Sequence, residues 1–298
     1  MGFEPKGIIP AMVTPLNADE SIDLEGVRKV VRFLLEGGVH GVFPVGSQGE
    51  FWALSKEEKK AVWETVVDEV NGEVPVYAGT GAESTSEVVE LTRLAEDTGC
   101  DAASIITPYY ITPKAHELYE HYRTIASKVD LPILLYNNPQ RTGGVNIQPD
   151  TVARIVEECS SVVGMKDSSG DLTLTMDYIR KGGKRFAVLA GRDTLIYATL
   201  LYGGKGAIAA CGNVVPSLVV EIYEAFVKGD YEKALTAQYQ LAPLRIAFEL
   251  GTFPTVIKEA MNMVGLPAGP CRKPILPMDH ASRERLRTIL QGYGYHPT

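Results

Sequence analysis

Lys166 is the most informative residue in the chain. It ends the run Val162-Val163-Gly164-Met165, which carries no other charge. Strict alternation along a strand puts it on one face with Val162 and Gly164. If that face is the interior of a closed sheet, the ammonium is poorly solvated and gives up its proton more readily. The neutral amine then attacks a carbonyl carbon. The bland alternative is a lysine that reaches out to water or pairs with Asp167. Tyr136 ends a neighbouring apolar run, Pro132–Asn138. A phenol beside such an amine can relay protons to a carbinolamine, or it can be an interface tyrosine with a satisfied hydroxyl. The turn Gly46-Ser47-Gln48-Gly49-Glu50 offers backbone N–H groups and a hydroxyl, which suit an anion such as a carboxylate. No Lys-Ser or Lys-Thr follows it, so it is not a nucleotide phosphate loop, and a plain strand-to-helix turn would look the same. Arg141, in Pro139-Gln140-Arg141-Thr142-Gly143, either holds a carboxylate in bidentate fashion or is a surface residue.

These residues need a scaffold that brings strand ends together. Eight short apolar runs are spaced along the chain: Gly7–Pro15, Gly41–Gly46, Pro75–Gly81, Ala102–Pro108, Pro132–Asn138, Val162–Asp167, Phe186–Gly191 and Gly206–Asn213. Amphipathic helical stretches lie between them, including Leu24–Glu36, Lys56–Val70, Ser86–Asp97 and Ala115–Lys128. Ser55 and Glu58 form a capping-box signature before the second of these. Near-continuous apolar strands imply burial on both faces, as in a parallel sheet. The count of eight, with no GxGxxG after the first run, predicts an α/β fold: a (β/α)8 TIM barrel over residues 1–230. The remaining stretch, 231–298, reads as a C-terminal helical extension packed on the barrel, with helices over Tyr231–Leu250, Thr255–Met263 and Ala281–Gly292. In such a barrel the chemistry sits at the carboxyl ends of the strands. That is where Ser47, Tyr110, Tyr136, Lys166, Gly191 and Asp193 fall.

Composition narrows the function. Lys plus Arg number 29 against 37 Asp plus Glu, a net charge of −8, which disfavours a nucleic-acid surface. The densest basic cluster, Arg180, Lys181, Lys184 and Arg185, lies at a predicted helix end, where the dipole favours cations. No run approaches the length of a membrane span, and the N-terminus lacks the features of a secretory signal. Cys100, Cys159, Cys211 and Cys271 are far apart and form no CxxC, so free buried thiols are expected. The five histidines never stand at i, i+4, and no metal site is expected.

Taken in order, Gly46-Ser47-Gln48-Gly49-Glu50, Tyr136-Asn137-Asn138-Pro139 and Gly164-Met165-Lys166-Asp167 resemble the dihydrodipicolinate synthase / N-acetylneuraminate lyase family of class I aldolases. The resemblance runs from Pro10-Ala11-Met12-Val13-Thr14-Pro15 to Arg272-Lys273-Pro274-Ile275-Leu276-Pro277. It implies a pyruvate Schiff base on Lys166 and no other cofactor. Tyr136 would be the proton relay, with its hydroxyl linked to Ser47, and Tyr110 would complete the relay from a neighbouring subunit. The pyruvate carboxylate would rest on Ser47-Gln48. Arg141, Gly191, Asp193 and Ile208 would complete the substrate pocket. The partners implied are pyruvate, an aldehyde and further copies of the chain, a tetramer built as a pair of dimers, with no nucleic acid and no membrane. The implied location is the cytoplasm.

The second substrate divides the family. Arg141 in an Asn-Pro-x-Arg-Thr-Gly context resembles the branch that condenses pyruvate with L-aspartate semialdehyde to 4-hydroxy-tetrahydrodipicolinate, on the route to lysine. Gln48 in place of a second threonine and Arg192 after Gly191 depart from that branch, and the Thr255–Ala260 segment resembles as much the family's aldolases of 2-oxo-3-deoxy sugar acids, whose carboxylate Arg192 would serve unless it is a solvated loop residue; a dehydratase acting through the same Schiff base is a further reading. A non-catalytic pyruvate-binding regulator is the third alternative. Thr194 after Asp193 argues against sialic acid as substrate. Some synthases bind lysine with histidines on the second helix and an asparagine after the third strand. Here Lys56, Lys59 and Glu83 stand at those places, beside Tyr109 and Glu87, and lysine inhibition is expected to be absent.

Overall fold

A computed structural model describes residues 2–297. Seven parallel strands form one sheet: β1 (Gly7–Pro10), β2 (Tyr77–Gly79), β3 (Ala102–Ile106), β4 (Ile133–Asn137), β5 (Val162–Asp167), β6 (Ala187–Ala190) and β7 (Gly206–Ala209). Their order is β1-β7-β6-β5-β4-β3-β2. The expected strand over Gly41–Gly46 is irregular. It makes two isolated parallel bridges, Ala11–Phe43 toward β1 and Val42–Val76 toward β2. Backbone bonds tie it to both edges, Phe43 N–H to Pro10 O at 2.9 Å and Tyr77 N–H to Val42 O at 2.8 Å, so this segment closes the ring into a barrel. Its irregularity has a local cause. Pro44 has no N–H to donate, and Val45 adopts φ +56°, which ends extended pairing before the Gly46–Glu50 turn.

Helices alternate with the strands: α1 (Leu24–Glu36), α2 (Lys56–Val70), α3 (Thr85–Asp97), α4 (Ala115–Ala126), α5 (Pro149–Glu158), α6 (Leu172–Gly182), α7 (Ile196–Leu201) and α8 (Pro216–Val227). The Ser55–Glu58 capping box forms as the spacing predicts. Then follow α9 (Tyr231–Ile246), α10 (Thr255–Met263) and α11 (His280–Gln291). The expected end of α9 at Leu250 is instead a tightened 3₁₀ turn, Ala247–Leu250.

Two apolar clusters divide the interior. A large one lies between the strands and the helices and includes Leu241, Leu244, Met261, Leu286 and Leu290 from the last three helices. A small one fills the lumen: Ile9, Ala11, Phe43, Tyr77, Ala102, Leu134, Leu189 and Ile208. The lumen is a packed core, and apart from Ser104 in mid-β3 the polar side chains of the site enter it at the strand ends. The face of Lys166 differs from strict alternation in one respect. The β4–β5 register shifts between Ile133 and Leu134, pairing Ile133 with Val162 and Leu134 with Gly164. This bulge leaves Val162 in the outer core and sets Val163 against the lumen cluster. Gly164 and Lys166 keep the lumen face, and Val162 does not share it. All four cysteines are buried and free. No helix among the described residues is long and apolar enough to cross a membrane.

Candidate active site

Lys166 and Tyr136 are register partners on β5 and β4, with Leu189 of β6 on the other flank of Lys166. The lysine side chain is buried, at 5% exposure. Its Nζ lies 4.2 Å from the Tyr136 ring centroid and 5.2 Å from that of Phe43. Asp167 does not pair with it. Alternation turns Asp167 to the helix side, where it accepts hydrogen bonds from Thr175 Oγ1 at 2.6 Å, Asn137 Nδ2 at 3.2 Å and Ser169 N and Oγ at 3.0 Å. The amine is therefore held among ring faces and aimed at a cavity of about 240 Å³ at the carboxyl ends of the strands. A larger cavity, about 750 Å³, lies on the outer helices and is lined mostly by apolar residues, with Glu36 its only acidic or basic side chain. The chemistry belongs to the smaller one, where titratable groups converge.

The Tyr136 phenol accepts a hydrogen bond from Asn138 Nδ2 at 2.9 Å. Burial alone would raise its pKa. The Lys166 charge, the hydroxyls of Ser47 and Ser168 and the Asn138 amide together outweigh this and hold Tyr136 below the ordinary tyrosine value. Ser47 faces the phenol but stops short of a hydrogen bond, so the expected Ser47–Tyr136 link is one of proximity here. Ser47 Oγ and both amide atoms of Gln48 are buried and have no hydrogen-bond partner among the described residues. Buried polar atoms are paired as a rule, and unpartnered ones at a cavity wall suit a polar ligand. The Gln48 amide was not signalled by its sequence context, where only its backbone N–H had an evident use.

Gly191, Asp193 and Ile208 also reach the cavity. Gly191 is required by space: its N–H donates to Asp167 O at 2.7 Å, and a side chain there would collide with Ser168 Oγ. The Asp193 carboxylate is engaged, accepting from Cys211 N–H at 2.8 Å and lying 3.5 Å from Arg245 Nε. Arg141 sits at the mouth with its guanidinium over the Phe253 ring, 4.1 Å from the centroid. Arg192 and Arg245 line the same cavity. Burial first, and then the charges of Arg245 and Arg192, lower the pKa of Arg141, against an opposing pull from Tyr136. Tyr110 is not in the cavity of its own chain. It lies on the β3–α4 loop at 89% exposure, next to exposed Ile111. On the outer wall, Lys56 pairs with Glu90, and buried Lys59 lies near Glu87 and Glu83.

Asn138 and Ser168 were present in the strand-end motifs, but their contacts could not be read from sequence. Arg245 and Phe253 come from beyond the barrel strands and carried no local signal at all.

The chain matches the model of the dihydrodipicolinate synthetase family over residues 4–293. It is 44% identical over 298 residues to the 4-hydroxy-tetrahydrodipicolinate synthase of Methanopyrus kandleri, covering 100% of this chain and 99% of that one. The crystal structure of dihydrodipicolinate synthase from Aquifex aeolicus superposes with a TM-score of 0.95 at 33% identity, covering 98% and 99% of the two chains. The chloride-inhibited dihydrodipicolinate synthase of Acinetobacter baumannii, complexed with pyruvate, gives a TM-score of 0.94 at 36% identity, covering 97% and 99%.

The charge argument at Tyr136 has a measurable sign. Lys166→Met removes the cation, so the Tyr136 phenol should ionise at higher pH than in the parent. Ultraviolet difference titration, with Tyr136→Phe to assign the signal, reads this. Identical Tyr136 titrations in the parent and Lys166→Met would refute the coupling.

Proposed function

The chain belongs to the dihydrodipicolinate synthetase family, and from that premise we propose that it is a class I lyase condensing pyruvate with L-aspartate semialdehyde to 4-hydroxy-tetrahydrodipicolinate. The observation that carries this reading is the Lys166 amine, buried in the lumen beside its register partner Tyr136 and below the unpartnered Ser47 and Gln48. The relatives at this level of identity are named for this reaction.

The steps follow from the groups at hand. Lys166 Nζ attacks the pyruvate carbonyl, and water leaves to give an imine. Tyr136, whose ring centroid lies 4.2 Å from Lys166 Nζ and whose phenol oxygen accepts from Asn138, carries the protons this exchange requires. The imine draws electrons from the adjacent methyl group, which loses a proton to become an enamine carbon. That carbon bonds to the aldehyde carbon, whose oxygen takes up a proton. Water, or the amino group of the new adduct, then displaces Lys166. The pyruvate carboxylate rests against Ser47 and Gln48, and Arg141 takes the carboxylate of the semialdehyde, its guanidinium aligned by Phe253. Tyr110 and Ile111, both exposed, are apolar surface that a second copy of the chain would cover. In that arrangement, a homotetramer made of two dimers, Tyr110 completes the proton relay of the neighbouring site. A second reading rests on one observation: the Gln48 amide offers a donor and an acceptor that substrate hydroxyls would use. That favours a 2-oxo-3-deoxy sugar acid, cleaved or dehydrated through the same imine.

The first test is a coupled assay with pyruvate and aspartate semialdehyde, following NADPH oxidation by added dihydrodipicolinate reductase. Turnover of roughly 1 s⁻¹ or more is expected. No turnover from protein that still forms a borohydride-trapped pyruvate adduct would select the sugar-acid reading. Lys166→Ala should lose both adduct and turnover.

Arg141→Ala should raise KM for the semialdehyde tenfold or more, from the loss of about 1.5–3 kcal/mol in a charged hydrogen bond, with a smaller change in KM for pyruvate. Equal kinetics in the parent and variant would take Arg141 out of the site.

Lysine should not inhibit, because Lys56 and Lys59 would repel a further ammonium. An inhibition curve with a low-millimolar midpoint would contradict this.

A further inference from the structure

The turn that carries Ser47 and Gln48 is not held by those two side chains, since neither makes a hydrogen bond. Backbone bonds within it, Gly49 N–H to Gly46 O at 3.0 Å and Phe51 N–H to Gly46 O at 3.3 Å, shape the turn, and the two residues that follow anchor it to the rest of the chain. Gly49 O accepts from Thr14 Oγ1 at 2.7 Å, which ties the turn to the segment after β1. Glu50 adopts φ +58°, a left-handed conformation uncommon outside glycine, so something must hold it there. Its carboxylate is the holder. Oε1 lies 2.6 Å from Lys258 Nζ on α10, and both side chains are only 1% exposed. Oε2 accepts from the Arg272 backbone N–H at 2.9 Å. Lys258 is itself fixed, donating to Pro270 O at 2.7 Å. Arg272 then grips the far end of the turn, with its guanidinium on Ala53 O at 2.5 Å and paired with Glu58. Two stretches of the C-terminal region, α10 and the segment at Arg272, thus converge on one carboxylate more than 200 residues earlier.

We propose that Lys258 and Glu50 are positioning residues for the pyruvate carboxylate: their buried ion pair sets the Ser47–Gln48 turn from below, so the C-terminal helices shape the first substrate's subsite. This rests on the reading that pyruvate docks on that turn. A buried charge left alone by removal of its partner is costly, whereas removal of both charges together is often tolerated. That difference separates positioning from mere stability.

The experiment titrates pyruvate against the borohydride-trapped adduct on Lys166, read by intact mass, in the parent, Glu50→Gln, Lys258→Met and the double variant Glu50→Gln/Lys258→Met. Melting temperature is recorded for each. In the double variant we expect a melting temperature near the parent's, a half-saturating pyruvate concentration raised tenfold or more, and the same maximal adduct at saturation. Glu50→Gln keeps the shape and the Arg272 contact but leaves Lys258 unpaired, so its melting temperature should fall below the double variant's while its half-saturating pyruvate concentration also rises. A folded double variant, or Glu50→Gln alone if the double variant does not fold, with parental half-saturation overturns the proposal. No adduct in the parent would instead overturn the pyruvate reading itself.

Discussion

The site depends on the register between β4 and β5. Pairing Tyr136 with Lys166 across a parallel ladder places a phenol and an amine side by side on the lumen face. A slip of one residue would send Lys166 to the helix side and bring Asp167 inward, because strand faces alternate. The barrel makes this placement expensive for a cation. Effective desolvation of an ammonium costs several kcal/mol, and contact with aromatic faces returns about 2 kcal/mol at best. The surplus cost is met by the many apolar contacts of the surrounding core.

Around that pair the protein arranges groups that await a polar partner. Ser47 Oγ and the Gln48 amide are buried without one, while the turn beneath them is tied down at Gly49 and Glu50. Donors fixed before the ligand arrives need no reorganisation during reaction. The strained backbone at Val45 and Glu50 belongs to the same device. It turns an irregular eighth strand sharply over the lumen and exposes the Ser47–Gln48 backbone to it.

The cavity wall is positively charged. Arg141, Arg192 and Arg245 share it, and Asp193 offsets Arg245. The guanidiniums of Arg141 and Arg192 both feel burial and repulsion from Arg245, which an anionic substrate would relieve. The overall acidic chain therefore concentrates cations at the one place where carboxylates are to be bound, and the field there is local rather than a property of net charge.

Much of this was legible in the chain itself. The eight apolar runs with helices between them determined a parallel barrel, because buried two-faced strands need helical crossovers. The strand-end residues Lys166, Tyr136 and Ser47 could be named because barrel chemistry is confined to that end. The closing segment at Gly41–Gly46 was visible, but its irregularity depended on how Pro44 and Val45 meet both sheet edges. The face of Val162 was misplaced, since a bulge is a two-strand property that one strand's alternation does not contain. Arg245, Phe253, Lys258 and Arg272 were beyond reach, for their contacts to the site join residues some 50 to more than 200 positions apart. Local pattern records which side chains are apolar and where turns fall, and this determined the scaffold and its reactive residues. Only tertiary packing decided which distant charges fix the turn and line the wall, because such contacts have no periodicity along the chain.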